Sequence, residues 1–112
     1  TLQGVDTSNI VDVENGHATT SSLTHSTQSV TTTTANTMVL TFHEMTSSAT
    51  WTPPTGMTEA VDIASDQVPS NTGISLLVSW QFTATAGSTG VRTATASNNA
   101  ATGIASIVAL RH

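Results

Sequence analysis

Four histidines and seven carboxylates are the groups in this chain best suited to chemistry. Imidazole nitrogens can ligate zinc or carry protons, but each role needs a spacing that brings partners together. His17, His25, His43 and His112 form no His-x-His and no His-Glu-x-x-His run. His43 adjoins Glu44, yet neighbouring residues of a strand point to opposite faces, so the two do not form an acid–base pair. The histidines are therefore expected at exposed or sandwich-edge positions. Asp6, Asp12 and Glu14, with Asn9 and Asn15, gather hard oxygens of the kind that hold calcium. They lack the EF-hand pattern, so solvated turn carboxylates are the simpler expectation and no metal is assigned. Glu59, Asp62 and Asp66 form a looser second group. A pair of carboxylates could serve a glycosidase as acid and base. Such enzymes usually line a cleft with aromatics, and this chain has two Trp, two Phe and no Tyr. Its serines include no Gly-x-Ser-x-Gly elbow. Trp51, just before Pro53-Pro54, is the candidate glycan contact, with packing on proline as the alternative. No catalytic residue and no cofactor are expected.

Composition narrows the field further. The 112 residues suit a single domain able to bury a core without staples. There are no cysteines, so disulfides and thiolate metal sites are excluded. Charged residues make up only 8% of the chain, and lysine is absent. Arg92 and Arg111 cannot supply the stripe of cations that phosphate binding needs, and the net charge is −5. Nucleic-acid and anionic-membrane binding are therefore not expected. No apolar run reaches the length of a membrane-spanning helix. In place of charge the chain carries 24 Thr and 14 Ser. Threonine is stiff and β-branched, which suits a pleated surface.

The elements that must position these groups are strands. Ile74, Leu76, Val78, Trp80 and Phe82 alternate with smaller or more polar residues, which predicts a strand with this row in the core. Met38, Leu40 and Phe42 mark a second strong strand over 38–45. Met57, Glu59, Val61 and Ile63 read as one face of another. Ile104–Leu110 is apolar on both faces and predicts a central strand. Glu14-Asn15-Gly16, Trp51 to Gly56, Asp66 to Gly73, Ala86 to Gly90 and Asn98-Asn99 read as turns or loops. The Thr/Ser-rich stretch 18–36 has few apolar anchors, with Thr31–Thr34 read as an edge strand. The expectation is an all-β, antiparallel sandwich or jelly roll of about seven to eight strands with essentially no helix.

Several pieces resemble a known family: Gly4 to Asn9, Ser29 to Thr33, Asn36 to Leu40, Trp51 to Pro54 with Gly56 to Glu59, Ala86 to Gly90, and Ala105 to Arg111. Together they look like a β-sandwich repeat domain of tailed-phage virion proteins and large secreted bacterial proteins. The resemblance covers almost the whole chain. It departs at Ile10, where the family often has proline. It implies the sandwich fold, no shared active site, and a unit of a larger array whose upstream half precedes a motif like Gly4-Val5-Asp6.

The function expected is non-enzymatic: a virion-associated structural module of a tail, fibre or capsid decoration, found on the virion surface or outside the cell. The alternatives are a secreted bacterial filament or adhesin repeat, or a carbohydrate-binding module. Residues 1–112 are expected to be one domain, one unit of a larger polypeptide or assembly. Thr1, Leu2, Gln3, Gly4 and Val5 lie in an edge-like strand that no lysine guards. They are the expected assembly edge of a homo-oligomer or a larger viral or extracellular particle, and strand addition is the expected means. A surface glycan is the other candidate partner.

Overall fold

β-branched and apolar residues in steps of two, broken by Gly, Pro and Asn, give ten strands and no α-helix among the described residues. The computed structural model describes Gly4, residues 6–65 and residues 72–112. In chain order the strands are β1 (Val11–Ser22), β2 (Thr24–Ser26), β3 (Thr31–Thr32), β4 (Thr37–Met45) and β5 (Trp51–Thr52). They continue as β6 (Thr58–Ala64), β7 (Ser75–Thr83), β8 (Gly87–Ser88), β9 (Thr93–Ala96) and β10 (Ala101–Arg111).

Five strands form one antiparallel sheet in the order β1-β10-β4-β7-β6. A second layer is made of two small sheets, β2-β9-β5 and β3-β8. Two buried clusters join the layers. Met45 and Leu77 of the large sheet pack with Ala49, Trp51, Ala94 and Ala96. Val39, Ile107 and Ala109 pack with Val30 and Met57. The all-β antiparallel sandwich is thus the architecture, with more strands than the seven or eight expected because the second layer is cut into short pieces.

Hydrogen-bonding side chains are built into this core. The Thr41 and Ser79 hydroxyls bond across β4 and β7 at 2.7 Å, and the Trp51 indole N–H donates to Ser75 Oγ at 3.0 Å. Each pairing removes the penalty of a buried, unmatched polar atom. Small inward side chains let the thin second layer approach closely. The main chains of β10 and β4 are also tightly opposed at Gly103, where an added Cβ would collide with the Glu44 carbonyl oxygen.

The strand expected over 74–82 forms as β7, Ser75–Thr83, but its large apolar row faces the opposite way. Ser75, Leu77 and Ser79 are buried, whereas Ile74 is 54%, Trp80 37% and Phe82 48% exposed. Alternation shows which residues share a face. It does not show which face a second layer will cover, and here that layer lies on the smaller set. Strand β4 does the same: Thr37, Val39, Thr41, His43 and Met45 are buried, and Met38, Leu40 and Phe42 point outward, half-buried by neighbours.

Two further expectations are corrected. Met57, Glu59, Val61 and Ile63 do not share a face, because a bulge between Glu59 and Val61 reverses the alternation. Met57 enters the core, while Val61 and Ile63 turn outward beside Val78 and Leu76. Glu14-Asn15-Gly16 is the middle of β1 rather than a turn. Gly16 faces Ser106, whose Oγ would lie 2.9 Å from an added Cβ, so glycine here answers a close cross-strand contact. At Gly56 the sequence-based turn does form: its φ is +83°, and Met57 N–H donates to Pro54 O at 3.0 Å. Positive φ at the third residue is what a type II turn requires.

Candidate functional site

The acidic stretch near the start does not converge. Asp6 folds back on its own turn, accepting from Ser8 N–H at 2.9 Å, Ser8 Oγ at 2.7 Å and Asn9 N–H at 3.3 Å. Those bonds, led by the Ser8 hydroxyl, hold its carboxyl below the usual value. Asp12 is the extra residue of a bulge in β1 and turns toward residues 33–34. It accepts from Thr33 N–H at 2.8 Å, from the Thr33 hydroxyl, and from Thr34 N–H at 3.4 Å. Arg111 Nη2 completes the set at 3.0 Å. Burial works to raise the Asp12 pKa, but the Thr33 bonds, Thr34 and Arg111 together hold it below the usual value. Glu14 lies on the outward face, opposite Val108. No three His, Asp or Glu side chains gather to hold a metal among the described residues.

The second acidic group is equally scattered. Asp62 accepts from the Trp51 backbone N–H at 3.0 Å, Glu59 is exposed, and Asp66 lies outside the described residues. Four of the five residues expected as an assembly edge, Thr1, Leu2, Gln3 and Val5, also lie outside them. Gly4 is described, with a positive φ and its α-carbon close to the His112 ring.

Two histidines expected at the surface are core residues. His43 is fully buried, and its Nε2–H donates to Arg92 O at 3.2 Å. Its Nδ1 has no partner among the described residues. Burial pushes its pKa down to about 4; the Arg92 bond opposes this and the nearby His25 adds to it. His25 is buried as well, donating from Nε2 to Ser22 O at 2.9 Å and accepting from the Thr19 hydroxyl at Nδ1. Burial again lowers its pKa. Both rings lie against Trp51, at 5.6 Å and 6.2 Å between centroids. Trp51 itself is only 5% exposed, so its indole is core packing and not a platform open to a sugar. The sequence signal was present: Thr37, Val39, Thr41, His43 and Met45 alternate as strictly as the larger row beside them.

What the structure assembles instead is a broad apolar face on the outside of the five-stranded sheet. On β4 it is made by Met38, Leu40, Phe42 and the single carboxylate Glu44. On β7 the partners are Phe82, Trp80, Val78 and Leu76, in register with those four. On β10 they are Leu110, Val108, Ser106 and Ile104. Val61 and Ile63 extend it onto β6. At one end Glu44, Ile63, Ile74 and Leu76 help line a depression of about 430 Å³. At the other, the His112 ring packs edge-on against Phe82, with centroids 6.1 Å apart. Both arginines are elsewhere: Arg111 is tied to Asp12, and Arg92 joins the second layer through Thr27. The most open residues of this face are Ile63, Ile74, Trp80, Phe82 and Ile104, while Leu110 is covered. Comparison with protein-family models, with curated proteins and with solved structures finds no match.

Proposed function

We propose that this chain is a non-enzymatic structural module that works by assembly, as a tail, fibre or capsid-decorating component of a virion. The observation that carries the reading is the outward apolar face of the five-stranded sheet. Burial of apolar area is the main driving force of protein association, and this face is available for it. The buried polar groups support the same reading, because those of His25, Asp12, Ser75 and Ser79 are taken up in hydrogen bonds that hold the fold. The virion setting rests on the resemblance of the Gly4–Asn9, Trp51–Glu59 and Ala105–Arg111 segments. A surface rich in Thr and Ser and free of lysine is consistent with an extracellular particle.

Antibodies raised against the chain and visualised by immunogold electron microscopy test the setting. Gold on the tails or capsids of released particles is the expected result. Gold on filaments of the bacterial surface would transfer the module to a secreted array, and a chain found free of any assembly would overturn the reading.

A further inference from the structure

We propose that the outer face of the five-stranded sheet packs against the same face of a second copy of this chain, about a two-fold axis running across the strands. This rests on the assembly reading above and names the partner.

Size is the first argument. Five strands about 4.8 Å apart, over nine residues rising about 3.3 Å each, present roughly 700 Å² in projection. A standard stable interface uses about 800 Å² of accessible surface per partner, and side-chain relief raises the projected figure toward it. Composition is the second. Of the twelve positions on β10, β4 and β7 that pair across this face, only Ser106 and Glu44 are polar; Leu110 among them is covered, and the exposed Thr102 follows at the Glu44 end. Charge is the third. The face bears two carboxylates, Glu44 and Glu14, and neither arginine. An acidic partner would meet those carboxylates with no cation to offset them, whereas a largely apolar face of the same outline fits with both carboxylates toward its margins.

Charge also selects the axis. β4 is the middle strand, with Met38 at one end and Glu44 at the other. An axis along the strands would stack Glu44 on Glu44 in a drying interface, which is costly. An axis across the strands lays β4 over its own copy in reverse, bringing Glu44 to the Met38 end and Leu40 to Phe42. Glu14 is on the outermost strand and stays in water at the rim. Two sheets packed this way form an isologous interface about 10 Å thick.

Sedimentation velocity on the full chain and on Leu40→Glu and Val78→Glu tests the proposal, with circular dichroism melts as the folding control. The expected result is a dimer whose dissociation constant rises at least roughly thirtyfold in each folded variant. The chain has no cysteine, so introduced thiols report the register directly. Met38→Cys mixed with Glu44→Cys should cross-link on mild oxidation, while Glu44→Cys alone should not. This arm also decides the matter if the glutamate variants fail to fold. Cross-linking of Glu44→Cys with itself would overturn the axis. A larger oligomer untouched by the outward variants would overturn the face and leave the assembly reading standing. A monomer at high micromolar concentration overturns the dimer, and if that monomer still binds purified particles, the virion reading survives without it.

Discussion

Leu40 and Trp80 stand opposite each other on adjacent strands and both point away from the sandwich interior. Their inward neighbours Thr41 and Ser79 share the buried hydroxyl pair at 2.7 Å. At these positions the large residues serve a surface, while the hydroxyls serve the core alongside Val39, Met45 and Leu77.

Substitutions on the two sides of β7 should separate accordingly. Leu77 is fully buried, so Leu77→Ala should cost about 3 kcal/mol through lost transfer energy and the cavity left behind. Trp80→Ala should leave the stability of the single subunit within about 1 kcal/mol. Urea denaturation at low micromolar concentration checks both, and equal large losses would place Trp80 in the core after all.

The strands β4 and β7 were legible because long apolar alternation has few readings other than a strand, and β10 because its run over 104–110 is apolar on both faces. Their orientation was not. Both faces of β4 and β7 alternate with equal regularity, and the strands that cover the inward face, β2, β3, β5, β8 and β9, are two to four residues long. Segments so short leave little periodic signal in a stretch of Thr and Ser. The bulge at Ala60 reverses a face without any change in residue type that announces it. In sequence, Trp51 close before two prolines allows both packing on proline and an exposed platform. Only the packing of His25 and His43 shows it to be interior. The outward face as a site was hidden by the same assumption, that the largest residues must line the core.

Acid should destabilise the fold in a defined window. His43 keeps a pKa of about 4 in the fold, below its ordinary 6.5, because burial disfavours the charged ring. The unfolded chain thus binds the proton first. Stability is complete above about pH 6.5, falls as pH drops from 6.5 toward 4, and levels off below that as the folded ring also protonates. The loss amounts to about 3 kcal/mol from this ring alone, at about 1.4 kcal/mol per unit. Asp6 and Asp12, whose values are lowered from 3.8, add their losses only below that value. Melting temperatures measured from pH 7.5 to 4 should decline in the wild type and decline less in His43→Leu. Parallel curves would refute the assignment.

Asp12 should act as a structural anchor and not as a calcium ligand. Its oxygens already accept from Thr33, Thr34 and Arg111. Asp12→Ala strands those donors and should cost about 2 kcal/mol. Excess chelator should leave the melting temperature of the wild type unchanged, and a drop of many degrees would restore Asp6, Asp12 and Glu14 as a metal site.

Collisional quenching of tryptophan fluorescence by acrylamide, measured across a dilution series of the unmodified chain, tests the interface most directly. Trp51 is buried in the core and Trp80 lies on the outer face, so the two indoles supply a protected reference and a reporter in one molecule. At high concentration both should resist quenching, and on dilution one component should become accessible as the copies separate. A tryptophan equally open to acrylamide at every concentration would contradict the account.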